Sequence, residues 1–306
     1  MNSCRWPPLS TRYPYLMDPM ACCASKGIHA YQFLSDHQGA RDTALDVGTG
    51  PGKVVWDLLK HFHYVIGCDA GPGMIEHAKK DAVKYNVADR CSFSVTTAED
   101  CAAAVTDTGR SSVDCITVAT AAHWFDQPRF YESAAKALRP GGTLAMWIMS
   151  SLYIHPSVPK AKELQAALSE LEDGILKPYY QKGTMYARNG YDNLPLPWDA
   201  PDDSSFDKAS FKKVAWDRDG SPSAPPLPDG TPGPFQLGRE VTFERAELGL
   251  GTSSSVIRWR EAHPDKVGTA EDPVKMLIAK VKEIAGDGAE KLTVAPSCTL
   301  LLLRKA

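Results

Sequence analysis

One short stretch of the sequence decides the fold, and it reads Leu45-Asp46-Val47-Gly48-Thr49-Gly50-Pro51-Gly52. An apolar strand carrying an acidic residue runs directly into three alternating glycines. Glycine has no Cβ, so a loop of this kind lets the backbone pass close to a bound ligand. The dinucleotide fingerprint G-x-G-x-x-G would need its third glycine at Lys53. The loop therefore indicates a nucleotide-type site and disfavours a dinucleotide.

Apolar runs of strand length alternate with helix-period segments on both sides of this loop, from Arg41 to Ile148. Such alternation is typical of a parallel sheet flanked by helices. The predicted strands are 44–47, 64–69, 91–95, 113–118 and 143–148; the predicted helices are 53–62, 73–85 and 130–138, and 139–142 is a predicted turn. We expect an α/β fold with a doubly wound, mostly parallel sheet.

The alternation ends after Ser150, and nine of the 23 prolines fall between Tyr191 and Glu240. Proline interrupts helices, so no long helix is expected there. A last helix at 273–285 and a last apolar strand at 292–303, expected at the sheet edge, follow. The predicted organisation is an N-terminal flap (1–40), a ligand-binding core (41–150), a lid or substrate-facing insertion after strand 5 (151–240), and C-terminal helices with an edge strand (241–306).

The bulk composition excludes several classes of partner. A net charge of −3 and a pI near 6.2 provide no field that would collect phosphate backbones, so no nucleic-acid partner is expected. Neither a signal peptide nor an apolar run of spanning length is visible, and we expect a cytoplasmic protein without a membrane partner. The eight cysteines form no C-x-x-C pair, which predicts free thiols and no metal site. The sequence does not specify the oligomeric state.

Acidic residues follow the second and third predicted strands. Asp69 closes the second strand 17 positions after Gly52, about where a doubly wound site places a carboxylate on ribose hydroxyls. The alternative is that Asp69 is the N-cap of the next helix. After the third strand, the stretch 96–100 has a backbone and side chains suited to the edge of an adenine, although acidic loops are often only solvated. We favour a ribose role for Asp69.

Four stretches together resemble a known family: 45–52, Ala98-Glu99-Asp100, Ala121-Ala122-His123-Trp124-Phe125-Asp126, and Leu138-Arg139-Pro140-Gly141-Gly142-Thr143. A fifth similarity lies at 259–264. The combination resembles the class I S-adenosylmethionine-dependent methyltransferases, in the fungal trans-aconitate methyltransferase-like group of small-molecule enzymes. The resemblance implies a seven-stranded Rossmann-like sheet and S-adenosylmethionine as the cofactor. It also implies a small-molecule methyl acceptor.

The resemblance assigns roles to individual residues. Asp46, Gly48 and Gly50 would contact the methionine part of the cofactor and Asp69 its ribose, while Ala119 and Thr120 would lie beside the sulfonium. The full predicted cofactor set is Asp46, Gly48, Thr49, Gly50, Asp69, Ala70, Met74, Thr97, Ala98, Glu99, Ala119 and Thr120. Two features depart from the family. The usual R-P-x-Y-P stretch is altered and lies farther upstream, at 12–14, and Thr120 replaces a common glutamine.

His123 is the candidate catalytic residue, because it follows the fourth strand on the edge where parallel sheets bind ligands. Methyl transfer needs a general base only if the acceptor atom carries a proton of high pKa. His123 is therefore a possible base, or it orients Trp124 and Phe125 as pocket walls. Tyr179 and Tyr180, in the insertion, are predicted to line the acceptor pocket, although aromatic residues more often serve in packing.

The sequence thus favours an S-adenosylmethionine-dependent methyltransferase acting on oxygen or nitrogen of a small organic molecule, such as a fungal specialised metabolite or a carboxylic acid. One alternative is a catalytically silent cofactor-binding or regulatory protein, suggested by the altered N-terminal segment. Another is an NAD-dependent oxidoreductase. Two features argue against an oxidoreductase: Lys53 stands where the dinucleotide fingerprint needs a glycine, and no Tyr-x-x-x-Lys pair follows the fourth strand.

Overall fold

The computed structural model describes residues 40–200 and 205–306, which contain eight strands and nine α-helices. The strands are β1 (Thr43–Val47), β2 (Tyr64–Asp69), β3 (Cys91–Val95), β4 (Val113–Ala119), β5 (Leu138–Ile154), β6 (Phe206–Trp216), β7 (Arg239–Thr242) and β8 (Lys291–Lys305). The helices are α1 (Lys53–Leu58), α2 (Pro72–Lys84), α3 (Cys101–Thr106), α4 (Gln127–Ala137), α5 (Ala161–Glu170), α6 (Lys182–Arg188), α7 (Phe243–Leu250), α8 (Ser254–Ala262) and α9 (Pro273–Ala285). The predicted flap, 1–40, lies outside these residues apart from Ala40.

All eight strands belong to one sheet, in the order β3-β2-β1-β4-β5-β8-β6, with β7 also pairing with β8. The first five strands pair in parallel. β1 lies between β2 and β4, and all five of its residues are buried. Helices cover both faces of a parallel sheet, which is why its strands read as continuous apolar runs. The predicted α/β fold with a mostly parallel sheet is confirmed.

The antiparallel end of the sheet differs from the expectation of seven strands. β8 lies between β5 and β6, so placing the last strand at the edge was wrong. β6 comes from the proline-rich insertion and takes the edge position. Three exposed lysines, Lys208, Lys212 and Lys213, lie on this strand. Charged side chains of this kind discourage further pairing at a sheet edge.

The predicted turn at 139–142 is part of β5, but it does not pair in register with β4. Leu138 pairs with Val113 and Thr143 with Cys115, so five steps along β5 face two steps along β4. Gly141 has a φ of +70°, a left-handed conformation that glycine adopts without strain. The turn residues therefore form a wide bulge inside a longer strand.

Successive side chains of β1 point to opposite faces of the sheet and so divide the core into two layers. Leu45 packs in a cluster with Phe130 of α4, whereas Ala44 packs on the opposite face with Leu58 of α1. Successive strand residues point to opposite faces, so one short strand supports both layers. A third cluster joins the far end of β5 to the helices α5, α7, α8 and α9. Among the described residues, no helix is long and apolar enough to cross a membrane.

Asp114, at the start of β4, ties three parts of the core together. Its Oδ2 accepts hydrogen bonds from the backbone N–H groups of Asp42 and Thr43, at 2.9 and 3.0 Å, and its Oδ1 accepts one from Arg139 Nε at 2.5 Å. Asp114 is 5% exposed. The carboxylate thus holds the start of β1 and the bulge of β5 against β4.

We expect Asp114→Ala to lower the free energy of unfolding by about 2–3 kcal/mol, because it leaves the two amides and the guanidinium without their acceptor. Urea unfolding followed by circular dichroism measures the change. The matched control is Asp89→Ala, at an exposed position, which should stay within about 0.5 kcal/mol of the parent. Equal losses in the two variants would show that Asp114 does not hold these elements together.

Candidate active site

The predicted site residues meet at the carboxyl edge of the parallel strands. The glycine loop follows β1, Asp69 ends β2, Ala98 follows β3 and His123 follows β4. Because these strands are parallel, their carboxyl ends lie at one edge of the sheet. The edge therefore gathers segments that are far apart in the sequence.

The glycine loop is fixed by β2 and touches the turn after β4. The N–H groups of Gly48 and Thr49 both donate to the carbonyl oxygen of Cys68, at 2.9 and 3.0 Å. Gly48 has a φ of +69°, and a Cβ there would come within 2.6 Å of the Ala121 Cβ. Gly50 is also left-handed, at φ +53°, but a Cβ there would meet nothing within 4 Å. One side of the loop is thus closely packed and the other, at Gly50, is open.

Asp69 holds the tip of this loop. Its Oδ2 accepts a hydrogen bond from the N–H of Gly50 at 2.9 Å, and its Oδ1 accepts one from the N–H of Gly71 at 2.8 Å. The N-cap residue of α2 is Gly71, so Asp69 is not itself the cap. A carboxylate has about four lone-pair positions, which leaves acceptor capacity for ligand hydroxyls.

Asp46 is a buried carboxylate with one unsatisfied oxygen. It is 1% exposed, and its Oδ1 accepts a hydrogen bond of 2.6 Å from Thr117 Oγ1. Neither Asp46 Oδ2 nor Thr49 Oγ1 has a hydrogen-bond partner among the described residues. Burial raises the pKa of Asp46 to about 7, and the neighbouring hydroxyls of Thr117 and Thr49 partly oppose this rise. A buried acceptor without a donor fits a ligand that brings an N–H group.

The segment after β3 joins the segment after β4. Ala98 is buried, and Glu99 Oε1 accepts a hydrogen bond of 2.9 Å from the N–H of Asp126. Glu99 is therefore anchored rather than simply solvated. Thr97 is exposed, and its hydroxyl donates to Asp100 Oδ2 at 3.2 Å.

His123 lies in the short 3₁₀ turn Ala122–Trp124 that follows β4. Its Nδ1 is 3.2 Å from the hydroxyl oxygen of Tyr191, a residue of the insertion. Burial lowers the pKa of His123 to about 4, so the imidazole is neutral at physiological pH. The Trp124 ring lies 4.6 Å from the imidazole, centroid to centroid, and Trp124 is 40% exposed. Phe125 packs on Phe130 in the core.

The remaining predicted cofactor residues lie at the same edge. Ala70 is exposed and Met74 is half-buried in the first turn of α2, next to Gly71. Ala119 is the last residue of β4. Thr120 follows it with a φ of +52°, and its N–H donates to the carbonyl oxygen of Trp147 at 2.8 Å. A β-branched residue in this conformation is strained, and such strain is often found at functional sites.

Comparison with known sequences matches residues 44–142 to the family described as a methyltransferase domain. The match begins inside β1 and ends at the β5 bulge, so it contains the glycine loop, Asp69, Glu99 and His123. Residues 44–142 of the chain are thus similar to a methyltransferase domain, which supports the family that the sequence motifs predicted.

Two relatives and one solved structure give the extent of the similarity. A Dictyostelium discoideum protein with a provisional methyltransferase name is 40% identical over 119 residues, covering 38% of this chain and 40% of the relative. The methyltransferase ptaI of Pestalotiopsis fici is 30% identical over 181 residues, covering 56% of this chain and 50% of the relative. The chain thus spans half or less of these relatives. A provisionally named type II methyltransferase from Anaeromyxobacter dehalogenans has the same fold, with a TM-score of 0.61 and 24% identity over 90% of this chain and 94% of that one.

The two predicted pocket tyrosines of the insertion have partners outside the His123 turn. Tyr180 donates from its hydroxyl to the carbonyl oxygen of Glu172 at 2.7 Å, and the Tyr179 ring lies 6.1 Å from that of His263. Both tyrosines pack on the helical cluster of α5, α7, α8 and α9. The insertion residue that contacts the His123 imidazole is Tyr191.

Sequence reasoning missed Tyr191 and two other neighbours of the His123 turn. A Cβ on Gly183 of α6 would come within 2.6 Å of the His123 carbonyl oxygen, and the Arg258 guanidinium lies 5.9 Å from the Trp124 ring centroid. Tyr191 follows an Asn-Gly pair, which is a turn signal. That signal gives no indication of which distant strand the turn will face.

The raised pKa of Asp46 makes the stability of this protein depend on pH. A carboxyl group whose pKa rises from 3.8 unfolded to about 7 folded stabilises the native state below pH 4. That contribution is lost as the pH rises through about 7. Without ligand, the free energy of unfolding should fall by about 2 kcal/mol from pH 5.5 to pH 8 because of this residue.

Asp46→Asn, which cannot titrate, should lack this part of the pH dependence. Denaturant unfolding of both proteins at pH 5.5 and pH 8 measures the difference. If the two proteins lose the same stability over this range, Asp46 does not titrate near neutral pH.

Proposed function

We propose that this protein is an S-adenosylmethionine-dependent methyltransferase that methylates an oxygen or nitrogen atom of a small organic molecule. The observation that carries the proposal is the buried Asp46 carboxylate, whose Oδ2 lacks a donor among the described residues and which lies in the strand leading into the unobstructed Gly50. A buried acceptor without a donor suits a ligand that brings a cationic amino group. The methionine part of S-adenosylmethionine carries such a group.

The other residues at this edge fit the rest of the cofactor. Asp69 has acceptor capacity left for the ribose hydroxyls, and Ala98 and Glu99 would border the adenine. Ala119 and Thr120, at the end of β4, would lie next to the sulfonium. When bound, the cofactor supplies an activated methyl group with an excellent leaving group.

The residues of the chain would then align the acceptor and exclude water. A lone pair of the acceptor atom bonds to the methyl carbon as the carbon–sulfur bond breaks and its electron pair stays on sulfur. Good alignment can contribute about 7–11 kcal/mol of barrier lowering. The half-buried His123 turn, with Phe125 behind it and Trp124 beside it, supports an acceptor site here.

A small-molecule acceptor agrees with the acidic character of the chain. The net charge of −3 provides no overall attraction for a nucleic acid. A fungal specialised metabolite or a carboxylic acid stays the preferred acceptor within this proposal, in a cytoplasmic protein without a nucleic-acid or membrane partner. The relative from Pestalotiopsis fici, a methyltransferase by name, is compatible with this preference.

Two glycines offer a matched test of the cofactor site. Gly50 and Gly109 both have left-handed φ values, +53° and +77°, and a Cβ at either would meet nothing within 4 Å. Alanine therefore brings about the same backbone strain, roughly 1–2 kcal/mol, at both positions. Only the Cβ at position 50 would enter the proposed cofactor space.

Isothermal titration calorimetry should find that the parent binds S-adenosylmethionine and not NAD. Gly50→Ala should weaken S-adenosylmethionine binding at least tenfold. A tenfold change in Kd corresponds to about 1.4 kcal/mol, roughly the loss of one contact. Gly109→Ala, in the turn after α3, should bind like the parent. Tight binding of NAD alone, or equal affinity in both variants, would refute the assignment of the loop.

Turnover is tested by incubating the full chain with S-adenosylmethionine and a panel of small acids, phenols and amides. Mass spectrometry should detect a product 14 Da heavier than one of these acceptors, as expected when a methyl group replaces a proton, together with S-adenosylhomocysteine. Cofactor binding without methylation of any panel member would favour the silent, regulatory alternative.

A further inference from the structure

Tyr191 reaches the His123 turn from the insertion and is held there rigidly. It is 2% exposed and packs in the core cluster that contains Leu45 and Phe130. Its φ is +60°, a conformation that costs a bulky residue of the order of 1–2 kcal/mol. Its N–H donates to the carbonyl oxygen of Tyr186 at 2.9 Å, which closes the end of α6. A strained, buried residue whose only polar side-chain atom meets a site histidine suggests a functional constraint.

The direction of the Tyr191–His123 hydrogen bond follows from the surroundings of the hydroxyl. Burial raises the pKa of Tyr191 far above neutral pH, so the phenol keeps its proton. A buried phenolic O–H needs an acceptor, and the side-chain atom within hydrogen-bond distance of this hydroxyl among the described residues is His123 Nδ1. The phenolic proton is therefore directed to His123 Nδ1, 3.2 Å away.

A neutral imidazole that accepts at Nδ1 carries its own proton on Nε2. His123 Nε2 has no hydrogen-bond partner among residues 40–200 and 205–306, and it is not among their fully buried, unsatisfied atoms. Its N–H is thus available to a ligand at the end of β4.

We propose that Tyr191 is a positioning residue that holds His123 in the Nε2–H tautomer, so that His123 donates a hydrogen bond to the methyl acceptor instead of removing its proton. The acceptor would then be an oxygen that is already anionic at neutral pH, such as a carboxylate or an acidic enol or phenol. This inference rests on the proposed methyltransferase function and adds its substrate class.

Two further observations agree with an anionic acceptor. A histidine whose pKa is near 4 is a weak base at neutral pH, because effective general bases have a pKa close to the working pH. The guanidinium of Arg258 faces the Trp124 ring, which adds positive charge next to the His123 turn. A carboxylate needs no base: its oxygen lone pair forms the new bond to the methyl carbon, and no proton is released.

The tautomer is measured first, without any acceptor, by long-range ¹H–¹⁵N correlation spectra of ¹⁵N-histidine-labelled protein. His123→Ala identifies the resonances of His123 among those of the eight histidines. We expect an unprotonated Nδ1 and a protonated Nε2 in the parent, and a shift towards a mixture of tautomers in Tyr191→Phe. A protonated Nδ1 in the parent, or an unchanged His123 spectrum in Tyr191→Phe, overturns the proposal whatever the activity.

The matched control is Tyr131→Phe, because Tyr131 is also buried and its hydroxyl donates to the carbonyl oxygen of Pro195 at 2.9 Å. It ties the same part of the insertion to the core but has no contact with His123. Tyr131→Phe should leave the His123 resonances unchanged. A change as large as that in Tyr191→Phe would show a general effect of loosening the insertion, and would overturn a specific role for Tyr191.

Kinetics then test the substrate class. On a carboxylate or acidic phenol, His123→Ala should lower kcat about 10²-fold, as expected for one hydrogen-bond donor to a reacting oxygen, and Tyr191→Phe roughly tenfold with little change in KM. Tyr131→Phe should keep the parent kcat. If the panel's good acceptors are instead unionised alcohols or amides, the proposed function stands and the anionic class is wrong. If the tautomer is found but no acceptor is methylated, the proposed function itself fails.

Discussion

The arrangement of the site depends on the carboxylate of Asp69, which accepts backbone hydrogen bonds from Gly50 and Gly71. One of these amides belongs to the loop after β1 and the other to the start of α2. Together with the two bonds that Cys68 accepts, they hold the end of β1 against the end of β2. Hydrogen bonds from a backbone to a charged acceptor are stronger than neutral ones, so the loop is organised before any ligand arrives.

This preorganisation lets the chain keep a buried carboxylate that is poorly satisfied. Asp46 has one donor, from Thr117, and its other oxygen has none among the described residues. A buried group of this kind destabilises the native chain when ionised, which is the physical meaning of its raised pKa. A cationic ligand would remove that penalty on binding, so the same feature that weakens the free protein favours the complex.

The proposed acceptor end is built differently, from a turn after β4 and from the insertion, which contains α5, α6 and β6. The insertion adds β6 to the sheet edge and Tyr191 to the core, while α5 packs with the C-terminal helices in a separate cluster. The proposed cofactor and acceptor ends therefore rest on different parts of the sequence. One residue of the insertion, Tyr191, contacts the His123 imidazole.

The sequence alone determined the parallel half of the fold and the edge at which the site lies. Apolar patterns with a period of 2 or 3.6 residues depend only on neighbours along the chain. The glycines at 48 and 50 are required by a local backbone conformation. Asp69 and His123 were predicted from their positions after strands, and the stretches 98–100 and 121–126 also from the family resemblance.

The tertiary structure decided what no local pattern records. β8 lies inside the sheet because β6, a strand from the insertion, pairs with it. An apolar run of this length is equally compatible with an edge strand and with an inner strand. Tyr179 and Tyr180 face the helical cluster, and Tyr191 faces His123, because the path of the insertion sets these contacts across 68 residues of sequence. The proposed tautomer of His123 depends on that long-range contact, which the sequence around His123 does not record.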